Sequence, residues 1–290
     1  YVNGPGGSFN FEGFPHQAKM THNNSRDNTT DSAASGTALA TGFKVGNGVI
    51  SRAIAPGNHP PQPSPENGQD LETLLERFQD QGKSTGLVTN SFMTDATPAA
   101  FGAHADDRSN DAAIANDFFT HTKPSVLFGG ATANFHKSAA QSAGYDVVTN
   151  RTELNNLNAS NASRVAGMFG NWMFESPYDQ AQDNTNFYDT KPYLDEMTGR
   201  ALDVLNQDDD GYFLMVENEL LDEYGHANDL DRSVFAMREL AQAVQSALDH
   251  TASDDDTLVL VTGDHETGGL DVTNNTPKDQ FPEVTWSTHG

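Results

Sequence analysis

The stretch Thr85-Gly86-Leu87-Val88-Thr89 is a short apolar run, and Asp95-Ala96-Thr97-Pro98 soon after it is typical of a helix start. Further apolar runs lie at 125–128, 212–216 and 257–261. Helical spacing of apolar residues separates them, at about 71–78, 111–120, 193–205 and 232–248. Continuous apolar strands that alternate with helices are typical of a largely parallel sheet covered on both faces. We therefore predict an α/β fold, a three-layer α/β/α sandwich around a largely parallel central sheet.

Acidic residues follow several of these predicted strands. Asp95, Glu217 and Asp264 each come shortly after the C-terminal end of a strand. Ligands of open parallel sheets gather at that edge, so these carboxylates are expected to lie near one another.

A nucleophile candidate lies earlier, in Thr30-Asp31-Ser32-Ala33-Ala34-Ser35-Gly36-Thr37. The Ala-rich continuation predicts a helix from about Ser32 to the Gly42 stop. Ser32 would then lie in the first helical turn, where free N–H groups and the helix dipole favour phosphate and an alkoxide. The structural alternative is that Asp31 or Ser32 only caps a helix.

Two further pairs have the residue types of metal ligands. Asp222 and His226 are four apart, so one helical turn places both on one face. Asp264 and His265 are adjacent and follow a strand, so they can serve one site only if the backbone turns there. Each pair alone also fits a capped or exposed turn. Together with Ser32 and the absence of Cys, they indicate divalent metals that activate a hydroxyl and hold a phosphate.

The octet around Ser32 resembles the nucleophile signature of the alkaline phosphatase family. The family resemblance extends to the segments on either side, Phe11-Glu12-Gly13-Phe14-Pro15 and Thr41-Gly42-Phe43-Lys44. It also extends to three later motifs: Asp95-Ala96-Thr97-Pro98, Asp222 with His226, and Asp264-His265. The resemblance implies an alkaline phosphatase-like fold and hydrolysis of phosphate monoesters through a phosphoserine on Ser32. It also implies two Zn²⁺ ions and one Mg²⁺ ion.

The resemblance assigns roles to individual residues. Asp222 and His226 match ligands of one zinc, and Asp264 and His265 match ligands of the other. Thr97 and Glu217 match ligands of the magnesium, and Asp95 matches the residue that reaches it through water. Arg108, thirteen after Asp95, matches the arginine that binds phosphate through two hydrogen bonds. His289 resembles the third ligand of the first zinc.

The sequence departs from the family at both ends. The family's first strand, with an Asp that bridges two metals, is not found before Ser32, and its closing strands are not found after His289. We expect one domain over 1–290, incomplete at both ends, with surface loops at about 43–69 and 131–190. The remaining histidines are interpreted as surface or packing residues: His16, His22, His59, His104, His121, His136 and His250.

The composition limits the partners. The formal net charge is −25, from 41 acidic and 16 basic residues, which disfavours nucleic acid and anionic membranes. Such a surface suits a salt-rich medium, which suggests a halophilic or marine origin. No apolar run is long enough to span a membrane, and no signal peptide opens the chain. The resemblance implies a homodimer exported to the periplasm or outside the cell.

Two alternatives stay open. One keeps the fold but hydrolyses phosphodiesters or sulfate esters, although the octet lacks the Pro and Arg of the sulfatase pattern. The other is a non-catalytic acidic module that binds metal at Asp208-Asp209-Asp210 and Asp254-Asp255-Asp256.

Overall fold

A five-stranded parallel sheet forms the centre of the molecule. The computed structural model describes residues 8–25, 29–53, 68–254, 256–274 and 280–288. The strands of the sheet are β1 (Ser84–Phe92), β2 (Val126–Ala131), β3 (Asp146–Val148), β4 (Val165–Asn171) and β5 (Tyr212–Glu217). They lie in the order β3-β4-β2-β1-β5, and every neighbouring pair is parallel. A separate antiparallel pair is formed by β6 (Asp271–Val272) and β7 (Val284–Thr285).

Helices cover both faces of this sheet. In the described part of the chain they are α1 (Ser32–Thr41), α2 (Leu74–Gln79), α3 (Ala96–Gly102), α4 (Asp111–Thr120), α5 (Lys137–Ser142), α6 (Arg151–Asn155), α7 (Pro177–Ala181), α8 (Phe187–Thr190), α9 (Leu194–Leu205), α10 (Leu220–His226) and α11 (Leu230–His250). Short 3₁₀ turns lie at Asn10–Gly13 and Ala159–Asn161.

Alternation along the strands divides the core into two parts. Leu87 of β1 packs with α3 and α4 on one face, in a cluster that includes Phe118. Its neighbour Val88 belongs to the cluster on the other face, which includes Met197 of α9 and Ala243 of α11. Successive side chains of a strand point to opposite faces, so one apolar run supplies both layers. The predicted three-layer α/β/α fold is confirmed.

The prediction of a surface loop at 131–190 is wrong. The segment contains β4, which lies inside the sheet between β2 and β3, with the side chains of Val165, Ala166 and Phe169 fully buried. Gly167 sits against the rings of Phe128 and Phe169, where a Cβ atom would lie within 2.7 Å of each ring. So short an apolar run inside an Asn-rich segment gives little periodic signal. It becomes a strand because β2 and β3 pair with it on both sides.

The predicted strand at 257–261 is also absent. These residues have no regular structure, and Leu258 and Leu260 are each 78% exposed. A strand needs a neighbour that pairs its backbone groups, and none of the described residues pairs with this segment.

The predicted loop at 43–69 is partly surface and partly core. Its described residues form only isolated bridges, at Ile50 and Arg52. The side chains of Val45, Val49 and Ile50 are nevertheless buried. Residues 54–67 lie outside the described part of the chain.

Candidate active site

Ser32 lies at the start of a helix, as the sequence predicts. Asp31 is the N-cap of α1, and its Oδ1 accepts a hydrogen bond from the N–H of Ala34 at 2.9 Å. The helix ends at Gly42, whose φ of 77° is the left-handed conformation that favours glycine. Ser32 is buried in the first turn, next to the N–H groups that a helix N-terminus leaves without partners.

A close helix contact places α1 beside the C-terminal edge of the sheet. At Gly36, a Cβ atom would lie 3.1 Å from the Cβ of Ala100 and 3.6 Å from the Cα of Thr97, both in α3. Because α3 follows directly after β1, this contact brings the Ser32 helix to the strand end that carries Asp95 and Thr97. Asp95 caps α3 through a 2.7 Å bond from the N–H of Ala96.

The Asp264-His265 pair contacts α1 directly. The Oγ of Ser32 lies 3.1 Å from Nε2 of His265, and the hydroxyl of Ser35 donates to Oδ2 of Asp264 at 2.9 Å. Nε2 of His265 is 3.4 Å from Oδ2 of Asp264, so both side chains face the same place. The backbone bends at these residues, which is the turn that the sequence argument requires.

The Asp222-His226 pair lies on α10, immediately beyond β5. Nε2 of His226 is 3.2 Å from Oδ2 of Asp222, as expected for residues one turn apart. The other oxygen of Asp222 is 3.9 Å from Nδ1 of His265 and accepts a hydrogen bond from Thr267. Asp222 therefore connects its own helix to the segment that approaches Ser32.

Arg108 reaches the Ser32 end of α1 from the loop between α3 and α4. Its Nη2 is 3.0 Å from Oδ1 of Asp95, and its Nη1 is 3.5 Å from Oδ2 of Asp31. Burial lowers the pKa of Arg108, but Asp95 and Asp31 outweigh it and the net shift is upward. The guanidinium is therefore a permanent cation next to the residue that precedes Ser32.

Glu217, at the end of β5, is held by hydroxyl groups. Thr89 donates to its Oε2 at 2.7 Å, and the side chain of Thr97 is a further hydrogen-bond partner. Burial, with Asp95 next in importance, raises the pKa of Glu217 to about 8. Both predicted magnesium ligands, Thr97 and Glu217, thus contact each other.

Glu219 adds one more carboxylate that no motif indicates. Burial, followed by the charges of Glu217, Asp95, Asp222 and Asp264 in that order, raises the pKa of Glu219 to about 11. Its backbone N–H donates to Oδ1 of Asn90 at 2.8 Å, which fixes the turn between β5 and α10.

The donor set fits divalent metal ions. Carboxylate, imidazole and hydroxyl groups from four chain segments face one region, where burial and then neighbouring carboxylates raise the pKa values of Glu217 and Glu219. Such crowding is unfavourable unless cations share the site. Imidazole with carboxylate suits zinc, and carboxylate with hydroxyl suits magnesium.

Ser35, Thr267 and Glu219 are site residues that the sequence argument missed. Ser35 is in the same octet as Ser32, and its position one turn further along the helix could have indicated it. Thr267 and Glu219 carry no local signal. His289 lies outside the described residues.

None of the described helices is long and apolar enough to cross a membrane.

Comparison with known proteins identifies similar sequences and folds. A family model described as alkaline phosphatase matches residues 3–287. Alkaline phosphatase 3 of Bacillus subtilis is 36% identical over 256 residues, which cover 84% of this chain and 51% of the relative. The chain spans about half the length of the curated relatives that it matches first.

Solved structures give the same answer for the fold. A cold-active alkaline phosphatase from a psychrophilic Shewanella is 33% identical, with a TM-score of 0.72 over 86% of this chain and 57% of the other. A variant of the TAB5 alkaline phosphatase, solved with Mg bound, is 24% identical, with a TM-score of 0.78 over 98% of this chain and 81% of the other.

Proposed function

Since this chain belongs to the alkaline phosphatase family, we propose that it hydrolyses phosphate monoesters through a phosphoserine on Ser32. One observation carries the proposal. The hydroxyl of Ser32 lies at the N-terminus of α1, 3.1 Å from Nε2 of His265, with Arg108 held beside the adjacent Asp31. The proposed nucleophile, the proposed phosphate-binding arginine and a group of carboxylates and imidazoles lie together at one edge of the sheet, which supports the proposal.

The chain's own residues bind and orient the substrate. The guanidinium of Arg108 presents parallel N–H donors that match two phosphate oxygens. Free N–H groups in the first turn of α1 favour negative charge on the oxygen of Ser32 and on the phosphate. Asp31 positions both the start of α1 and the guanidinium of Arg108, because one of its oxygens caps the helix and the other faces Arg108.

We propose the following metal ligands. Asp222 and His226, with His289, would hold one zinc, and Asp264 and His265 the other. Thr97 and Glu217 would hold magnesium, with Asp95 reaching it through water. When bound, these ions would stabilise negative charge on the reacting oxygens and lower the pKa of bound water.

The reaction is a double displacement. The oxygen of Ser32 forms a bond to phosphorus, while the bond from phosphorus to the ester oxygen breaks and the alcohol leaves with a proton. Water then attacks phospho-Ser32, which releases inorganic phosphate and restores the hydroxyl. Arg108 holds the phosphate oxygens through both steps.

The test compares three esters and looks for the intermediate. We expect an aryl phosphate monoester to be cleaved much faster than the matching phosphodiester or sulfate ester. After acid quenching, mass spectrometry should find one phosphate on the peptide that contains Ser32. Faster diester or sulfate cleavage would replace the proposal with the related hydrolase. Calcium binding at the Asp208-Asp209-Asp210 run without any hydrolysis would favour the non-catalytic module.

Three properties complete the proposal and follow from the family resemblance and the charge. We propose a homodimer that acts in the periplasm or outside the cell. The net charge of −25 supports a salt-rich medium, and stability that does not change between low and molar salt would contradict this.

A further inference from the structure

A second group of imidazoles and carboxylates lies away from the strand-end site. Glu76 belongs to α2, His104 lies between α3 and α4, and His121 directly follows α4. One ligand atom from each of these three residues lies within 4.8 Å of the other two. No residue of this group belongs to the site described above.

We propose that Glu76, His104 and His121 bind a zinc ion that links α2 to the end of α4. Nε2 of His104 is 3.4 Å from Oε2 of Glu76. Two ligand atoms of a tetrahedral zinc, each at about 2.0–2.1 Å from the metal, are about 3.3–3.4 Å apart. This pair is already at the spacing that the ion requires, and water supplies the fourth ligand.

Asp117 of α4 orients both imidazoles for this role. Its Oδ2 lies 3.1 Å from Nδ1 of His104, and its Oδ1 lies 3.5 Å from Nδ1 of His121. Metal-binding histidines commonly donate one ring N–H to a carboxylate, which leaves the other nitrogen for the metal. One carboxylate here serves both rings through Nδ1, so Nε2 of each ring is the nitrogen available to zinc.

The carboxylate ligand is also held in place. Oε2 of Glu76 accepts hydrogen bonds from the N–H of Thr73 at 2.9 Å and from its hydroxyl at 3.0 Å. These bonds form the capping box of α2, so the position of the carboxylate is set by the helix start.

An alternative needs no metal. Nε2 of His104 also lies 3.1 Å from the carbonyl oxygen of Leu71, so a protonated His104 can donate to acceptors on both sides. His121 distinguishes the two cases, because it plays no part in that arrangement. Its side chain is 58% exposed, yet its ring lies 5.9 Å from that of His104, with Asp117 in contact with both rings. The hydrogen bonds of His104 to Glu76 and Leu71 do not require His121 nearby, whereas a shared zinc does.

Zinc binding replaces the proton on Nε2 of His104 with a metal ion. The metal takes the lone pair of Nε2, the proton on that nitrogen passes to solvent, and the hydrogen bond to Leu71 is lost. The ionisable side chains around the ion are those of Glu76, Asp117, His104 and His121, from α2, from α4, from the segment between α3 and α4 and from the C-terminal cap of α4.

Metal content and metal positions test the proposal on the full chain. Crystals grown with Zn²⁺ should show an anomalous peak between Glu76, His104 and His121, in addition to any peaks at the strand ends. His121→Ala should bind one zinc fewer per chain than the wild type by elemental analysis after dialysis against micromolar Zn²⁺. His16→Asn changes another exposed histidine and should keep the wild-type zinc content.

Two results would overturn the proposal. One is a wild-type crystal with zinc at the strand ends and no peak at Glu76, His104 and His121. The other is an equal zinc content in the wild type, in His121→Ala and in a second variant, Glu76→Gln. The second variant retains an acceptor for the Thr73 hydrogen bonds, so a loss of zinc without unfolding supports the site.

Discussion

At the strand ends, buried acidic side chains lie near one another, whereas between α2 and α4 carboxylates are paired with imidazoles. In the first group, burial and neighbouring charges raise the pKa of Glu217 to about 8 and that of Glu219 to about 11. In the second, burial raises the pKa of Glu76, but His104 and Thr73 outweigh it and the net shift is downward. The first arrangement opposes the charged state of its acids and the second favours it.

In the metal-free protein, this contrast separates a group of acids whose charges need a bound cation from a group whose charges already compensate one another. Carboxylates that repel one another reduce the stability of the fold. A bound cation removes this cost because it neutralises their charges. A carboxylate that faces an imidazole stabilises the fold without a ligand. Activity is therefore expected to fall when the first group changes, and the stability of the metal-free protein is expected to fall when the second group changes.

Ser32→Ala should give the largest effect on activity. Loss of the proposed nucleophile should lower kcat/KM for an aryl phosphate by about 1,000-fold or more, roughly 4 kcal/mol of transition-state stabilisation. Binding of inorganic phosphate should persist, since Arg108 and the α1 N-terminus are unchanged.

Steady-state kinetics and a phosphate inhibition constant measure both quantities. The control is Ser142→Ala, an exposed serine in α5, which should retain wild-type kinetics. Near wild-type turnover in Ser32→Ala would contradict its assignment as the nucleophile.

The parts of the structure that follow from local signals were predictable. Helix α1 has its cap at Asp31 and its stop at Gly42 within the chain segment itself. The apolar runs of β1, β2 and β5 are long enough to indicate strands. In contrast, β4 depends on its two neighbours, and 257–261 has the composition of a strand but no described neighbour that pairs with it.

The site was only partly predictable for the same reason. Ser32 and His265 are 233 positions apart, and their contact was expected from the family resemblance and not from any pattern. Glu219 and Thr267 belong to no motif, so only the fold reveals them. His104 was interpreted as a surface or packing residue. It is buried, but its contacts with Glu76 and Asp117 depend on how α2 and α4 pack.

The pH dependence of stability tests the second group. Burial lowers the pKa of His104, but Asp117 and Glu76 outweigh it and raise the value to about 10. The folded state therefore binds this proton more tightly than the unfolded chain, whose histidine titrates near 6.5. The stabilisation is complete below about pH 6.5 and is lost as the pH rises toward 10, by roughly 5 kcal/mol.

Urea unfolding of metal-free protein between pH 6 and 10 measures this loss. His104→Asn should be less stable than the wild type at pH 6, because it lacks the ion pairs of His104 with Glu76 and Asp117. The two proteins should approach the same stability near pH 10, where the wild-type His104 loses its proton and these ion pairs. His250→Asn, which changes a histidine on α11, should follow the wild-type curve. Parallel curves for His104→Asn and the wild type would show that His104 carries no proton-linked stability.

Arg108→Ala should give the smallest of the three effects, because it removes binding contacts and leaves the nucleophile. We expect KM and the phosphate inhibition constant to rise by about tenfold, or roughly 1.4 kcal/mol, with a smaller change in kcat. Arg77→Ala removes an exposed arginine whose side chain pairs with Glu72, and it should leave both constants unchanged. Asp95 and Asp31 lose their cationic partner in Arg108→Ala. The variant therefore also tests whether these two aspartates serve to position Arg108 or to bind metal. A rise in KM at unchanged metal content would show that Asp95 and Asp31 position Arg108. An unchanged inhibition constant for phosphate would show that Arg108 does not bind phosphate.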